Sequence, residues 1–170
     1  MVGQRTGPDR PKALYTDEER RRRDESRWTI VQGVLAPVQF LVFLISLGLI
    51  FRYLATGEGF AAAAASIVVK TFVLYAIMIT GSIWEKDVFG RYLFAPAFFW
   101  EDVVSMLVLA LHTAYLAALA TDGLSPRGQI FLALAAYASY FVNAAQFLLK
   151  LRAARLDYDS RVAAVGEPAQ

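Results

Sequence analysis

Five ionisable side chains in a largely apolar stretch of chain are candidates for chemistry: Lys70, Glu85, Glu101, Asp102 and His112. On a helix, Glu101, Ser105, Val108, His112 and Tyr115 fall within about 40° of a common line, so one face would carry a carboxyl, a hydroxyl, the sequence's only histidine and a phenol. Asp102 is the immediate neighbour of Glu101, and Trp84, Phe89, Tyr92, Phe94, Phe98, Phe99 and Trp100 surround the pair in sequence. Apolar walls and a second nearby carboxyl are the surroundings that keep a general acid protonated near neutral pH. The plain alternative is that Glu101 and Asp102 are interfacial residues favoured by a helix N-terminus. His112 alone cannot build a multi-histidine metal site, although a single imidazole suffices as an axial ligand to a macrocycle metal. Its plain alternative is an interhelical hydrogen bond.

These residues need elements to hold them, and composition says which kind. The 170 residues are 57% apolar and 19% charged. Only 11 charged residues fall among the 122 positions from 28 to 149, too few for a water-facing surface. That excludes a disordered chain and a nucleic-acid-binding domain. With no cysteine, disulfide scaffolds, thiolate zinc sites and cysteine nucleophiles are excluded as well. The expected fold is an all-α integral membrane protein, a four-helix transmembrane bundle. Its spans run over Trp28–Leu54, Phe60–Trp84, Phe98–Ala120 and Gln129–Leu149, each near the ~20 residues that cross a bilayer. The breaks at Ala55–Gly59, Glu85–Pro96 and Thr121–Pro126 carry turn residues.

Ten basic residues flank the spans on one side (Arg20–Arg23, Arg27, Lys86, Arg91, Lys150, Arg152, Arg155), against Arg52 and Arg127 on the other. The positive-inside rule then predicts cytoplasmic termini and a cytoplasmic second loop. The expected organisation is a polar cytoplasmic segment over 1–27, a transmembrane domain over 28–150 and a flexible cytoplasmic tail over 151–170. The polar segment ahead of the first span predicts that this span is its own insertion signal. Thr16-Asp17-Glu18-Glu19 has capping-box spacing, which predicts a short helix leading into it.

Within the spans, Gln32, Gln39, Ser46 and Tyr53 recur every seven residues, as expected of hydrogen bonds that join helices. Pro37 is expected to kink the same helix. Thr71, Tyr75, Met78, Ser82 and Glu85 share a face of the second span, and Lys70, at depth, lies about 60° from Glu85. A charged residue at that depth is a functional candidate with a carboxylate or bound ligand as partner, or else it snorkels or is deprotonated. The Ala61–Ala65 run allows close packing, and Tyr137, Ser139, Tyr140, Asn143, Gln146 and Lys150 are expected to pack the fourth span and line a cavity. No phosphate-binding glycine loop, dinucleotide fingerprint, HExxH or GxSxG is present.

The strings RRRRDESRWTIVQGVLAPVQFLVF, RYLATGEGF, VVKTFVLYAIMITGSIWEKDVFGRYLFAPAFFWEDVVSMLVLALHTAYL and AYASYFVNAAQFLLKLR resemble the 3-vinyl (bacterio)chlorophyllide hydratases of bacteriochlorophyll biosynthesis. The resemblance spans roughly Leu14 to Arg155. It implies a multi-pass enzyme of the cytoplasmic or intracytoplasmic photosynthetic membrane that adds water to the C3 vinyl group of chlorophyllide a. Its partners would be the chlorophyllide, water, the lipid bilayer and neighbouring pigment-biosynthesis enzymes, with no nucleic acid.

A vinyl group conjugated to a macrocycle can be protonated at its terminal carbon, after which water adds to the inner carbon. One protonated carboxyl and one carboxylate suffice, without a metal or redox cofactor in the enzyme. The expected pair is Glu101 with either Asp102 or Glu85, and His112 is a candidate axial ligand to the substrate magnesium or an alternative proton donor. Lys86 and Arg91 are candidates for pairing with the substrate propionate, and Trp84 and Trp100 for stacking on its ring. Lys70, Tyr75, Tyr115 and Asn143 complete the expected substrate contacts. Two other classes fit the same residues: a non-catalytic pigment-binding or assembly protein, and a small transporter using Lys70 with the carboxyls as a relay.

Overall fold

The computed structural model describes residues 14–166, without the side chains of 157 and 161–166. Five helices form: α1 Asp17–Glu25, α2 Arg27–Thr56, α3 Phe60–Phe89, α4 Phe99–Ala120 and α5 Pro126–Gly166. The last four are long and apolar enough to cross a membrane, and no strand forms among the described residues.

The capping box forms at Thr16: its hydroxyl oxygen accepts from the Glu19 amide while the Glu19 carboxylate accepts from the Thr16 amide. Such a cap is worth about 1 kcal/mol. Arg21 and Arg22 hold the Glu18 carboxyl below its ordinary range. The expectation that this helix leads into the first span is corrected in one respect. Ser26 takes an extended conformation, ends α1 and caps α2 as a separate helix. Its hydroxyl donates to Asp87 at 2.8 Å, and α1 packs back along α3. Tyr15 is buried there against Phe89 and Phe98, and burial pushes its phenol up to about 12.

Two antiparallel hairpins make the bundle. α2 lies on α3, with Gln32 donating to Thr80 at 2.7 Å and Ser46 meeting Ser66 at 2.7 Å. These contacts use the seven-residue stripe, and Gln39 and Ser46 are buried. The helix runs unbroken through Pro37. Within the alanine run, Ala63 and Ala64 are the buried members. α4 lies on α5 with a steady register: Glu101 meets Lys150, Ser105 meets Asn143 and His112 stacks on Tyr137. Tyr137 ties the hairpins together, its hydroxyl 2.6 Å from Ser46 on α2. Positive φ at Gly57 (74°) and Gly59 (86°) folds the α2–α3 connection back within three residues. At the other end α5 stays helical past Lys150 as far as Gly166.

The sequence has no native cysteine to interfere with a register test. Ser46→Cys with Ser66→Cys is expected to form a disulfide on mild oxidation, read as a gel-mobility shift. Ser46→Cys with Ser82→Cys should not, because Ser82 lies 16 residues, about 24 Å, further along α3. A shift in the second pair and none in the first would overturn the α2–α3 register.

Candidate active site

The carboxyl-bearing end of the bundle is built by the α3–α4 connection. Gly90, at φ 80°, closes α3, and the chain crosses to α4 through residues 91–98. Within that crossing Phe94 adopts φ 59°, a left-handed conformation unusual for a bulky residue. It turns two successive amides toward the helices. The Phe94 N–H donates to Asp102 Oδ2 at 2.7 Å and the Ala95 N–H donates to Glu85 Oε2 at 3.2 Å. The two adjacent amides thus bring the Glu85 and Asp102 carboxyls to the same turn of the loop. They are 5% and 4% exposed, so this carboxyl pair is screened from bulk solvent.

Glu101 points elsewhere. Its carboxylate accepts from Lys150 Nζ of α5, which also donates to the Ala97 carbonyl and lies 5.1 Å from the centre of the Phe98 ring. The Asn143 amide donates to the Glu101 carbonyl at 2.9 Å and accepts from Ser105 at 3.1 Å. In place of the expected pair, Glu101 with Asp102 or Glu85, the structure holds Glu85 and Asp102 on successive loop amides and joins Glu101 to a lysine that the candidate set omitted. Lys150 stands 49 residues from Glu101, and only the α4–α5 register brings them together.

The aromatic residues around the site divide into two groups. Trp84, Phe89, Phe98 and Phe147 pack on one another and on Tyr15, and the Trp84 indole donates to Thr29 at 2.9 Å. Trp84 is therefore engaged in helix packing rather than offered to a ligand. Tyr92, Phe94, Phe99 and Trp100 are exposed, Trp100 at 69%. Lys86 and Arg91 are exposed at the same end, Lys86 donating to the Gly90 carbonyl at 3.0 Å and lying 5.5 Å from the Tyr92 ring centre. An open hollow of about 580 Å³ at this end is lined by Glu25, Ser26, Arg27, Trp28, Val31 and Asp87. Asp87 is two residues from Glu85 and so about 200° around α3, which puts the hollow on the other side of the helix from the carboxyl pair.

Deeper in the bundle, Lys70 and His112 are both fully buried. The His112 Nδ1–H donates to the Val108 carbonyl at 2.8 Å, which leaves Nε2 as acceptor, and Lys70 donates to it at 3.1 Å. Lys70 also sits 3.7 Å from the Tyr140 ring centre. Its partners are thus an imidazole and an aromatic face, and of the two partners expected, a carboxylate or a bound ligand, the carboxylate is not the one it meets among the described residues. His112 has no lone pair left for a metal and lies about 16 Å along α4 from Glu101. That is farther than the centre of a chlorin lies from its own ring substituent. Tyr115, fully buried, and Tyr75, bonded to Thr113 at 2.8 Å, are likewise remote from the carboxyls.

Residues 15–153 match the family model of 2-vinyl bacteriochlorophyllide hydratase. A 2-vinyl bacteriochlorophyllide hydratase from Cereibacter sphaeroides is 67% identical over 159 residues, covering 92% of this chain and 98% of that protein. One from Rhodobacter capsulatus is 66% identical over 145 residues, covering 85% and 84%. No solved structure matches the chain. On the extent of these matches, the chain belongs to the 2-vinyl bacteriochlorophyllide hydratase family.

Proposed function

We propose that the chain hydrates the vinyl group of chlorophyllide a or 3-vinyl bacteriochlorophyllide to a 1-hydroxyethyl group, with Glu85 and Asp102 as the acid–base pair. The locants 2 and 3 name the same vinyl-bearing ring carbon under two tetrapyrrole numbering schemes. Hydratase activity in bacteriochlorophyll biosynthesis follows from family membership and the 66–67% identity to relatives of that name. The assignment of the chemistry to this pair is supported by one observation: two buried carboxyls from different helices are held by adjacent amides of one loop.

Two buried carboxyls so held share a proton. The protonated member donates it to the terminal vinyl carbon, and the cation at the inner carbon is delocalised into the ring. The ionised member takes a proton from the attacking water, whose oxygen bonds the inner carbon. The proton has then moved from one carboxyl to the other, and its return resets the pair. Glu101, already paired with Lys150, borders this pair and holds the start of α4. Tyr92, Phe94, Phe99 and Trp100 offer the ring a stacking surface, and Lys86 and Arg91 are exposed cations at the same end for a propionate. The macrocycle stays at this end, because the bundle interior is filled by Ile50, Ile67, Val108, Tyr115 and Tyr137. Lys70 and His112 serve packing at depth and stand outside the chemistry.

The membrane reading extends to the bacterial cytoplasmic or intracytoplasmic photosynthetic membrane, with a polar segment over 1–27, the membrane domain over 28–150 and a tail over 151–170. Both termini and the α3–α4 connection face the cytoplasm, beside neighbouring pigment-biosynthesis enzymes. The support is the ten-to-two bias of basic residues.

Three outcomes are expected. In membranes supplied with vinyl chlorophyllide, Glu85→Gln and Asp102→Asn each lower hydroxyethyl product by about 10²- to 10⁴-fold, while His112→Asn stays within about tenfold. Near-normal turnover in both carboxyl variants would refute the mechanism. Lys86→Met and Arg91→Met raise KM by about three- to tenfold with kcat nearly unchanged, as expected for groups that bind the substrate without acting on the vinyl. Reporter fusions at residue 91 and at the C-terminus read as cytoplasmic and a fusion at residue 58 as external; the opposite pattern would invert the topology.

A further inference from the structure

Four ion pairs form among the described residues, and three of them lie within α1. The fourth, Lys150 with Glu101, joins two helices at the carboxyl end, where Glu101 is buried. An ion pair that served only to join α4 to α5 would need Glu101 alone. Lys150 Nζ also donates to the Ala97 carbonyl, which ties α5 to the α3–α4 crossing itself. From Ala97 the turn is closed by short bonds that end on the carboxyls. The Phe98 N–H donates to the Ala95 carbonyl at 2.8 Å, and the Asp102 N–H donates to the Phe98 carbonyl at 3.0 Å. The Phe94 and Ala95 amides in turn hold Asp102 and Glu85. Asn143, two turns before Lys150, donates to the Glu101 carbonyl at 2.9 Å, so α5 grips the chain both at residue 97 and at residue 101.

We propose that Lys150 is a positioning residue for the hydration: it fixes the 94–98 turn against the start of α4, so that the Phe94 and Ala95 amides hold Asp102 and Glu85 in place. The proposal rests on the assignment of the chemistry to those two carboxyls and adds the group on which their placement depends. Phe94 sits at φ 59°, a strained conformation that persists only where its surroundings fix it from several sides. One side is the packing of Phe98, 1% exposed, among Tyr15, Trp84, Phe89 and Phe147. The other is the Lys150 ammonium, whose hydrogen bonds are charge-assisted and so stronger than those between neutral groups. Without it the Ala97 carbonyl loses this donor and Glu101 is left as a buried carboxylate with no cation beside it. The turn is then free to relax toward an ordinary φ, and the two amides move with it. A shift of about 1 Å in groups that hold reacting residues costs about 10²-fold in rate. Glu101 is, on this reading, the anchor of the lysine, and proton transfer stays with Glu85 and Asp102.

The test uses full-length variants in membranes supplied with vinyl chlorophyllide, with rates taken per folded protein, measured as the monodisperse fraction of a C-terminal fluorescent fusion in detergent. Lys150→Met is expected to lower kcat about 10- to 100-fold while KM moves by about threefold at most, because the lysine acts on the carboxyls and not on the macrocycle. Lys150→Arg, which keeps the charge and the donors, recovers most of that loss. Glu101→Gln leaves the bond to the Ala97 carbonyl and costs less than Lys150→Met. The double variant Glu101→Gln with Lys150→Met falls close to Lys150→Met alone, because the two residues act as one unit. If Lys150→Met does not fold, Lys150→Gln, which keeps a donor without the charge, carries the same expectation of a kcat loss that arginine repairs. A kcat within about threefold of wild type in Lys150→Met or Lys150→Gln, or an equal loss in Lys150→Arg, overturns the positioning role. Near-normal turnover in Glu85→Gln and Asp102→Asn would instead overturn the functional reading beneath it.

Discussion

The demand that every polar group inside an apolar bundle find its partner within the protein shapes this structure at each level. Hydrocarbon offers no hydrogen bonds, so an unmatched donor or acceptor there costs several kcal/mol. The response is a set of polar contacts stepped along the bundle axis: Gln32 with Thr80, Ser46 with Ser66 and Tyr137, Lys70 with His112, Ser105 with Asn143. Each joins two helices, and together they fix rotation and register in a way that apolar packing between lipid-compatible surfaces does not. Lys70 is the extreme case, with its amine nitrogen placed against an imidazole nitrogen and a tyrosine face.

The same demand explains the loop at the carboxyl end. Glu85 ends one helix and Asp102 begins the next, and two carboxyls held together repel each other unless donors face them. The loop supplies those donors from its backbone, and Phe94 takes a left-handed conformation that costs of order 1 kcal/mol or more to do so. Lys150 reinforces the arrangement from α5 by holding both Glu101 and the Ala97 carbonyl. Strain in the loop, burial of the pair and the lysine latch thus serve one geometry. In the mechanism proposed above, that geometry is a proton shared between two carboxyls.

Much of this was legible in the sequence, and the parts that were not have a common cause. Helix positions follow from long apolar runs, the α1 cap from Thr16 and Glu19, and the inward stripe of α2 from seven-residue spacing, because all depend on local order. The break at Ser26 was missed because the capping box at Thr16 marks where a helix starts and nothing in it marks where the helix ends. The partners across helices were harder still. A helical wheel puts Glu101 on the inner face but does not say whether Glu85 of α3 or Lys150 of α5 stands opposite, since that depends on the rotation of α4 between α3 and α5. Trp84 reads as a surface aromatic until Thr29, 55 residues away, is seen to accept its indole proton.

Depth decides what each polar group can do. A macrocycle cannot pass between helices packed as closely as these, where Ala63, Ile67, Tyr115 and Ala133 have no exposed surface. Chemistry on such a substrate must therefore sit where the bundle ends and the loop presents aromatic residues to the surroundings.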